Sequence, residues 1–111
     1  MSDDRCAPLR AHLAAKPTDR FARYALALEL AKLGRPDEAL AELDTLLQHH
    51  PQSGAGHYQR GLILQAAGRR EAAREAWEAG LAALSGVRDP EARRSHREIE
   101  LALDALEDAD E

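Results

Sequence analysis

Apolar residues recur at every third or fourth position along most of the chain. Between residues 20 and 33 they form two neighbouring stripes, Leu26, Leu30 and Leu33 on one and Phe21, Tyr24 and Leu28 on the other. This spacing matches the 3.6-residue turn of an α-helix, whereas a half-buried strand would alternate at every second position. A helix that is apolar on two stripes must be covered on both sides, so the pattern predicts more than one packing neighbour.

A second helix is predicted directly after the first. Gly34 ends the first helix, because glycine takes the left-handed conformation of a helix C-terminus without a Cβ penalty. Pro36 suits the first turn of the next helix, where its missing N–H is not needed, and Asp37 lies at the positive end of the dipole. The apolar stripe of this helix consists of Ala39, Leu40, Leu43, Leu46 and Leu47.

The same helix pair is repeated 34 residues further along the chain. Tyr24, Gly34, Ala39, Leu47 and Pro51 recur as Tyr58, Gly68, Ala73, Leu81 and Ser85. A fixed period of this length is typical of stacked supersecondary units and not of an active-site framework. Gly80 lies inside a helix of the second unit, where it costs about 1 kcal/mol relative to Ala. We therefore expect a bulky neighbour, such as an aromatic ring, to occupy the space beside it.

Residues 20–53 and 54–87 resemble two tetratricopeptide repeats in register and without a gap. The first has signature residues at Tyr24, Leu26, Ala27, Leu30, Lys32, Gly34, Asp37, Glu38, Ala39, Leu43 and Pro51. The second keeps Tyr58, Gly61, Leu64, Gly68, Ala73, Trp77 and Leu81. The chain departs from the pattern at Arg23 and His57, where a bulky apolar residue is common, and at Arg60, where Leu is expected.

The resemblance implies an all-α fold, a helix-turn-helix repeat stack of the α-solenoid type with about six helices. We expect a single domain over residues 3–109. It would comprise a half repeat at 3–17, full repeats at 20–53 and 54–87, and a C-terminal capping helix at 89–109.

The C-terminal helix carries an unusual order of charges. Asp89 is its predicted N-cap and Pro90 its first residue. Its apolar stripe consists of Ala92, Ile99, Ala102, Leu103 and Leu106. Arginines lie near its start and acids near its end, which opposes the helix dipole. Two interpretations follow: a cap on the last repeat, or a helix that enters the groove of its own chain or of a second copy.

Composition favours the same fold class and suggests a compartment. Of the 111 residues 44% are hydrophobic, yet Val and Ile are nearly absent while Ala, Leu, Arg and Glu abound, which favours helices over sheets. The single cysteine, Cys6, excludes an internal disulfide and fits a reducing cytoplasm. No apolar run is long enough for a signal peptide or a membrane span. We expect a cytoplasmic protein with no membrane partner, and the Arg-rich, Lys-poor usage suggests a bacterium with a GC-rich genome.

The charges are divided unevenly along the chain. The formal net charge is −5, and seven of the 20 acids follow Arg97, where no base occurs. The preceding residues carry 15 bases and 13 acids, so they are nearly neutral. No basic stripe with interleaved aromatic residues is present, so we expect no nucleic-acid partner.

Catalytic and metal-binding patterns are missing from the sequence. There is no HExxH, CxxC or GxSxG motif and no phosphate-binding glycine loop. Only His49 and His50 are adjacent, and neighbouring residues on a helix point about 100° apart. A metal site formed by these two residues and His57 at one inter-repeat turn is a weak alternative. We predict that the protein is not an enzyme and needs no cofactor or metal.

The resemblance also implies where a partner would bind. In tetratricopeptide repeat proteins the first helix of each repeat lines a concave groove. The corresponding positions here are Phe21, Tyr24, Leu28, Ala31 and Lys32 in the first unit, and Tyr58, Leu62 and Gln65 in the second. The two tyrosines have an alternative role, which is to stack within the array.

Two functions are consistent with these observations. The first is a non-enzymatic adaptor or scaffold that binds a peptide or an amphipathic helix of a partner protein in the groove. The other is a structural self-association module, a homodimer formed through the C-terminal helix or the terminal half repeat.

Overall fold

The computed structural model describes residues 5–110, and the side chains of residues 5–109, as helices joined by short turns. Within this range there are six α-helices and no strand: α1 (Cys6–Ala15), α2 (Arg20–Lys32), α3 (Pro36–His49), α4 (Gly54–Ala66), α5 (Arg70–Leu84) and α6 (Pro90–Asp110). The predicted all-α fold of helix-turn-helix repeats is confirmed. The start of the predicted half repeat, at residues 3 and 4, lies outside the described residues.

The helices form two compact units, one ending at His50 and the other beginning at Pro51. In the first unit α2 packs against both α1 and α3. In the second unit α4, α5 and α6 each pack against the other two. The organisation of the chain as a single domain stays a prediction.

The core residues of the first unit are mainly leucines. Leu26 and Leu30 of α2 and Leu43 and Leu46 of α3 are fully buried. Ala27 and Ala39 are also fully buried, and side chains this small allow two helices of a pair to approach closely. The short α1 adds Cys6 and Leu13 to the buried residues.

A single indole ring joins α4 and α5 in the second unit. Trp77 is only 1% exposed, and its Nε1–H donates a hydrogen bond to the backbone oxygen of Tyr58, 3.1 Å away. A Cβ atom added to Gly61 would lie 2.0 Å from Nε1 of that ring. The indole therefore fills the space that the missing side chain of Gly61 leaves on α4.

The glycine inside α5 has a similar role. A Cβ atom on Gly80 would lie 2.8 Å from Cβ of His57 and 3.1 Å from Cδ1 of Ile99. The expectation of a bulky neighbour at Gly80 is confirmed, and the neighbours are one side chain from α4 and one from α6. The glycine lets both helices pack closely on α5, which offsets its low helix propensity.

The last helix, α6, covers both helices of the second repeat. Its buried residues are Ala92, Ser95, Ile99, Leu103 and Leu106. A Cβ atom on Gly54 would lie 2.3 Å from Cβ of Ser95, so α4 and α6 approach closely where α4 begins. Near the other end of α6, the Arg70 guanidinium donates a hydrogen bond to the Leu106 carbonyl oxygen at 2.8 Å. The role of this helix as a cap on the last repeat stays a prediction.

The 34-residue period is visible in the way the first helix of each repeat ends. Gly34 has a φ of 74°, its N–H bonds to the Ala31 oxygen at 3.1 Å, and the Arg35 N–H bonds to the Leu30 oxygen at 3.0 Å. One period later Gly68 has a φ of 79°. Its N–H bonds to the Gln65 oxygen at 3.0 Å, and the Arg69 N–H bonds to the Leu64 oxygen at 2.9 Å. Both ends are Schellman motifs, in which glycine is favoured because the backbone is left-handed.

We expect Gly61→Ala to lower the free energy of unfolding by about 1–3 kcal/mol, because the added methyl group overlaps the Trp77 ring. Urea unfolding followed by far-UV circular dichroism measures the change. Gln65→Ala changes an exposed residue of the same helix, and its free energy of unfolding should stay within about 0.5 kcal/mol of the wild-type value.

Gly61→Ala should lower the free energy of unfolding by a smaller amount in a Trp77→Leu background, since the smaller leucine side chain leaves room for the methyl group. An equal cost in both backgrounds would show that the indole is not what requires a glycine at position 61.

Candidate partner-binding faces

The structure brings five of the predicted site residues together on one face of α2. Phe21, Tyr24, Leu28, Ala31 and Lys32 follow one another mostly at spacings of three or four, which places them on the same side of a helix. Phe21 is 73% exposed and Lys32 is exposed, while the other three are half-buried. This set of residues is called the α2 face below. Its role in binding stays a prediction.

Phe21 is the most exposed apolar residue of this face. Among the described residues the only large hydrophobic side chains left exposed are Phe21 and Leu101. The guanidinium carbon of Arg20 lies 5.0 Å from the centre of the Phe21 ring, a cation–π distance. The start of α2 therefore presents an aromatic ring and a positive charge side by side.

Asp19 determines where α2 begins. Its Oδ1 atom accepts hydrogen bonds from the backbone N–H groups of Phe21 at 3.0 Å and Ala22 at 3.2 Å. Its Oδ2 atom lies 2.7 Å from Nε2 of His12. The hydrogen bond from His12, followed by that from the Ala22 N–H, holds the pKa of Asp19 below its usual value of 3.8. The position of Phe21 thus depends on an ionised cap.

Arg23 explains one departure from the repeat pattern. Its guanidinium lies 2.6 Å from a carboxylate oxygen of Glu42 on α3, and it donates a second hydrogen bond to the Pro17 oxygen at 2.7 Å. The side chains of Arg23 and Glu42 are only 14% and 20% exposed. An ion pair therefore stands where a bulky apolar residue is common in tetratricopeptide repeats.

On α4 the three predicted residues also share one face. Tyr58 and Leu62 are half-buried and Gln65 is exposed. The neighbouring His57 is buried, and its Nε2–H donates to the Pro51 oxygen at 2.8 Å. His57, the second departure from the repeat pattern, is thus a buried imidazole that has a hydrogen-bond partner.

A pocket that the sequence did not predict lies between the end of α5 and the start of α6. It has a volume of about 370 Å³, and its lining includes Leu84, Val87, Ala92, Arg93, His96 and Arg97. It forms where the chain turns between the helices, with Gly86 at a φ of 79°. The only sequence signal was the spacing of four between Arg93 and Arg97, which places both on one side of α6.

Among the side chains of residues 5–109, no three His, Cys, Asp or Glu groups lie close enough to hold a metal. The His49 and His50 rings are 6.4 Å apart, and each bonds to a different backbone oxygen, that of Thr45 or of Thr18. Within the same range no helix combines the length and the apolar character needed to cross a membrane.

Comparison with known proteins gives one result. A protein-family model described as Tetratricopeptide repeat matches residues 2–103. The comparisons with curated proteins and with solved structures gave no match.

We expect Asp19→Asn to destabilise the protein more at about pH 6 than at about pH 2.5. Folding lowers the pKa of Asp19, so the ionised carboxylate stabilises the folded state above pH 3.8. This contribution is lost as the pH falls through the lower pKa of the folded state. Urea unfolding of the wild type and the variant at both pH values measures the difference.

The exposed substitution Glu78→Gln on α5 serves as the control for Asp19→Asn. His12→Ala should reproduce most of the pH-dependent loss of stability, because the His12 hydrogen bond is the largest cause of the lowered pKa of Asp19. A loss of stability at Asp19→Asn that is equal at both pH values would contradict this account of the cap.

Proposed function

Since the chain belongs to the tetratricopeptide repeat family, we propose that it is a scaffold that binds a protein partner on the α2 face. Tetratricopeptide repeats generally mediate protein–protein interaction, and the family is typically non-enzymatic. This family role gives the class of function. The choice of the α2 face rests on the side chains described above.

The exposure of Phe21 is the observation that carries the proposal. The other apolar residues of α2 are buried or half-buried, whereas Phe21 leaves 73% of its surface in solvent. Aromatic side chains, Phe among them, are enriched at protein interfaces relative to the rest of the surface. Tyr24 and Leu28 extend the apolar surface from Phe21 along the helix for two further turns.

The dimensions and charges of the face indicate the kind of partner. From Phe21 to Lys32 the face is roughly 17 Å long, at 1.5 Å per residue. This length suits three turns of an amphipathic helix or a short extended peptide. Arg20 adds a positive charge beside Phe21, whereas Lys32 at the other end of the face pairs with Glu29 at 3.4 Å. Complementary charge therefore favours a segment with an acid next to the residue that meets Phe21.

The face on α4 is a second candidate contact. Tyr58 and Leu62 supply a smaller apolar surface, and Gln65 offers an amide that can both donate and accept hydrogen bonds. We assign it a secondary role, because both apolar side chains are half-buried and no large apolar group of α4 is exposed.

Site-specific photo-cross-linking in the native cell tests the α2 face. A p-benzoylphenylalanine residue replaces Phe21 in one variant and Gln48, an exposed residue of α3, in the matched control. We expect one or a few discrete cross-linked proteins from position 21 and none of these from position 48. The same products from both positions, or none from position 21, would rule out this face.

The cross-linked partner then provides a quantitative test with purified proteins. We expect Phe21→Ala to weaken binding by about 10- to 30-fold, as for an aromatic residue of central importance in an interface. Gln48→Ala should leave the affinity unchanged. Because Phe21 is exposed, both variants should unfold at the wild-type temperature, which separates lost binding from lost folding.

A further inference from the structure

The side of α6 that faces solvent has a regular sequence of residues. The buried residues of this helix, among them Ile99 and Leu106, face α4 and α5. On the opposite side, spacings of three and four connect five exposed residues: Arg94, Arg97, Leu101, Asp104 and Asp108. These five residues are called the outer stripe below.

An exposed leucine lies at the centre of the outer stripe. Leu101 is 63% exposed and stands next to the midpoint of the helix Pro90–Asp110. Both charged residues before it in the stripe are arginines, and both after it are aspartates. Among the side chains of residues 5–109, none of these four charged groups has an ion-pair partner.

The spacing of these charges makes the outer stripe complementary to itself. Arg94 and Asp108 are each seven residues from Leu101, which is about 10.5 Å along the helix axis. If a second α6 lies antiparallel with the two Leu101 side chains in contact, Arg94 of each copy faces Asp108 of the other. Arg97 then lies close to Asp104 of the other copy.

We propose that two copies of this chain associate through an antiparallel pair of α6 helices, with a two-fold axis passing near Leu101. Such an interface is isologous, because the same patch serves both copies. A parallel pair would instead place arginines against arginines and aspartates against aspartates. The antiparallel arrangement also explains why the charges of α6 oppose its own dipole, since each end meets the opposite charges of the neighbouring helix.

The mass of the full chain as a function of concentration gives the first test. Sedimentation equilibrium at low salt should show the weight-average mass rising from 12.2 kDa towards twice that value. One helix pair buries less than the roughly 1,600 Å² of a standard interface, so we expect a weak dimer. Added salt should weaken it further, because the ion pairs are exposed. A chain that stays monomeric at every concentration in low salt would overturn the proposal.

Charge reversal tests the antiparallel register. Arg94→Asp and Asp108→Arg should each abolish dimerisation, because each places like charges opposite one another. The double variant should dimerise again. An equimolar mixture of the two single variants should form a heterodimer, since one copy then carries two acids and the other two bases at the facing positions. If the double variant and the mixture both stay monomeric while the wild type dimerises, the antiparallel register is wrong.

Glu107→Arg is the matched control for Asp108→Arg. It makes the same change of charge at a neighbouring exposed position of α6 that lies outside the outer stripe, and the dimer should persist. Leu101→Cys should form a disulfide between copies under mild oxidation, whereas Glu107→Cys should not. Equal cross-linking from both positions would place the contact elsewhere. Circular dichroism confirms that each variant is folded.

Discussion

The second unit depends on the contact between one indole ring and one glycine. Trp77 lies across α4 at Gly61, and its N–H bonds to the Tyr58 backbone oxygen in the same turn of that helix. A ring of this size contributes a large buried apolar area, and the hydrogen bond fixes its orientation. The missing side chain of Gly61 therefore lets the indole of α5 lie directly against the backbone of α4.

The addition of α6 follows the same principle. Gly80 of α5 leaves room for Ile99, and Gly54 of α4 leaves room for Ser95, so α6 approaches both helices closely. Gly80, in the interior of α5, weakens its helix by about 1 kcal/mol relative to Ala, whereas Gly54 is the first residue of α4 and lies outside the interior where that cost applies. The loss is offset because helices in proteins gain most of their stability from tertiary packing and little from intrinsic propensity.

Features determined by neighbouring residues in the chain could be predicted from the sequence. The ends of the helices at Gly34 and Gly68 and the N-cap at Asp89 follow from local rules, and the structure has all three. The buried side of α6 could also be predicted, because its apolar residues recur at helical spacing and so lie on one side of the helix. Periodicity and turn chemistry thus predicted the helices and their ends, while the repeat-stack architecture was implied by the resemblance to tetratricopeptide repeats.

The long-range partners of polar residues could not be predicted. The sequence placed Arg23 and His57 outside the repeat pattern, but it did not show that Glu42 and the Pro51 oxygen bind them. These partners depend on how helices pack, which has no local signature. The pocket beside Arg93 was missed for the same reason, since it forms where two helices and a turn meet.

The Arg23–Glu42 ion pair makes the two repeats unequal as modules. One period later the corresponding positions hold His57 and Ala76, so both members of the pair changed together between the repeats. A chimera that joined α2 to α5 would place the guanidinium opposite a methyl group and leave a half-buried charge without its carboxylate. Exchange of a single helix between the repeats would therefore cost stability, whereas moving the complete helix pair keeps Arg23 with Glu42.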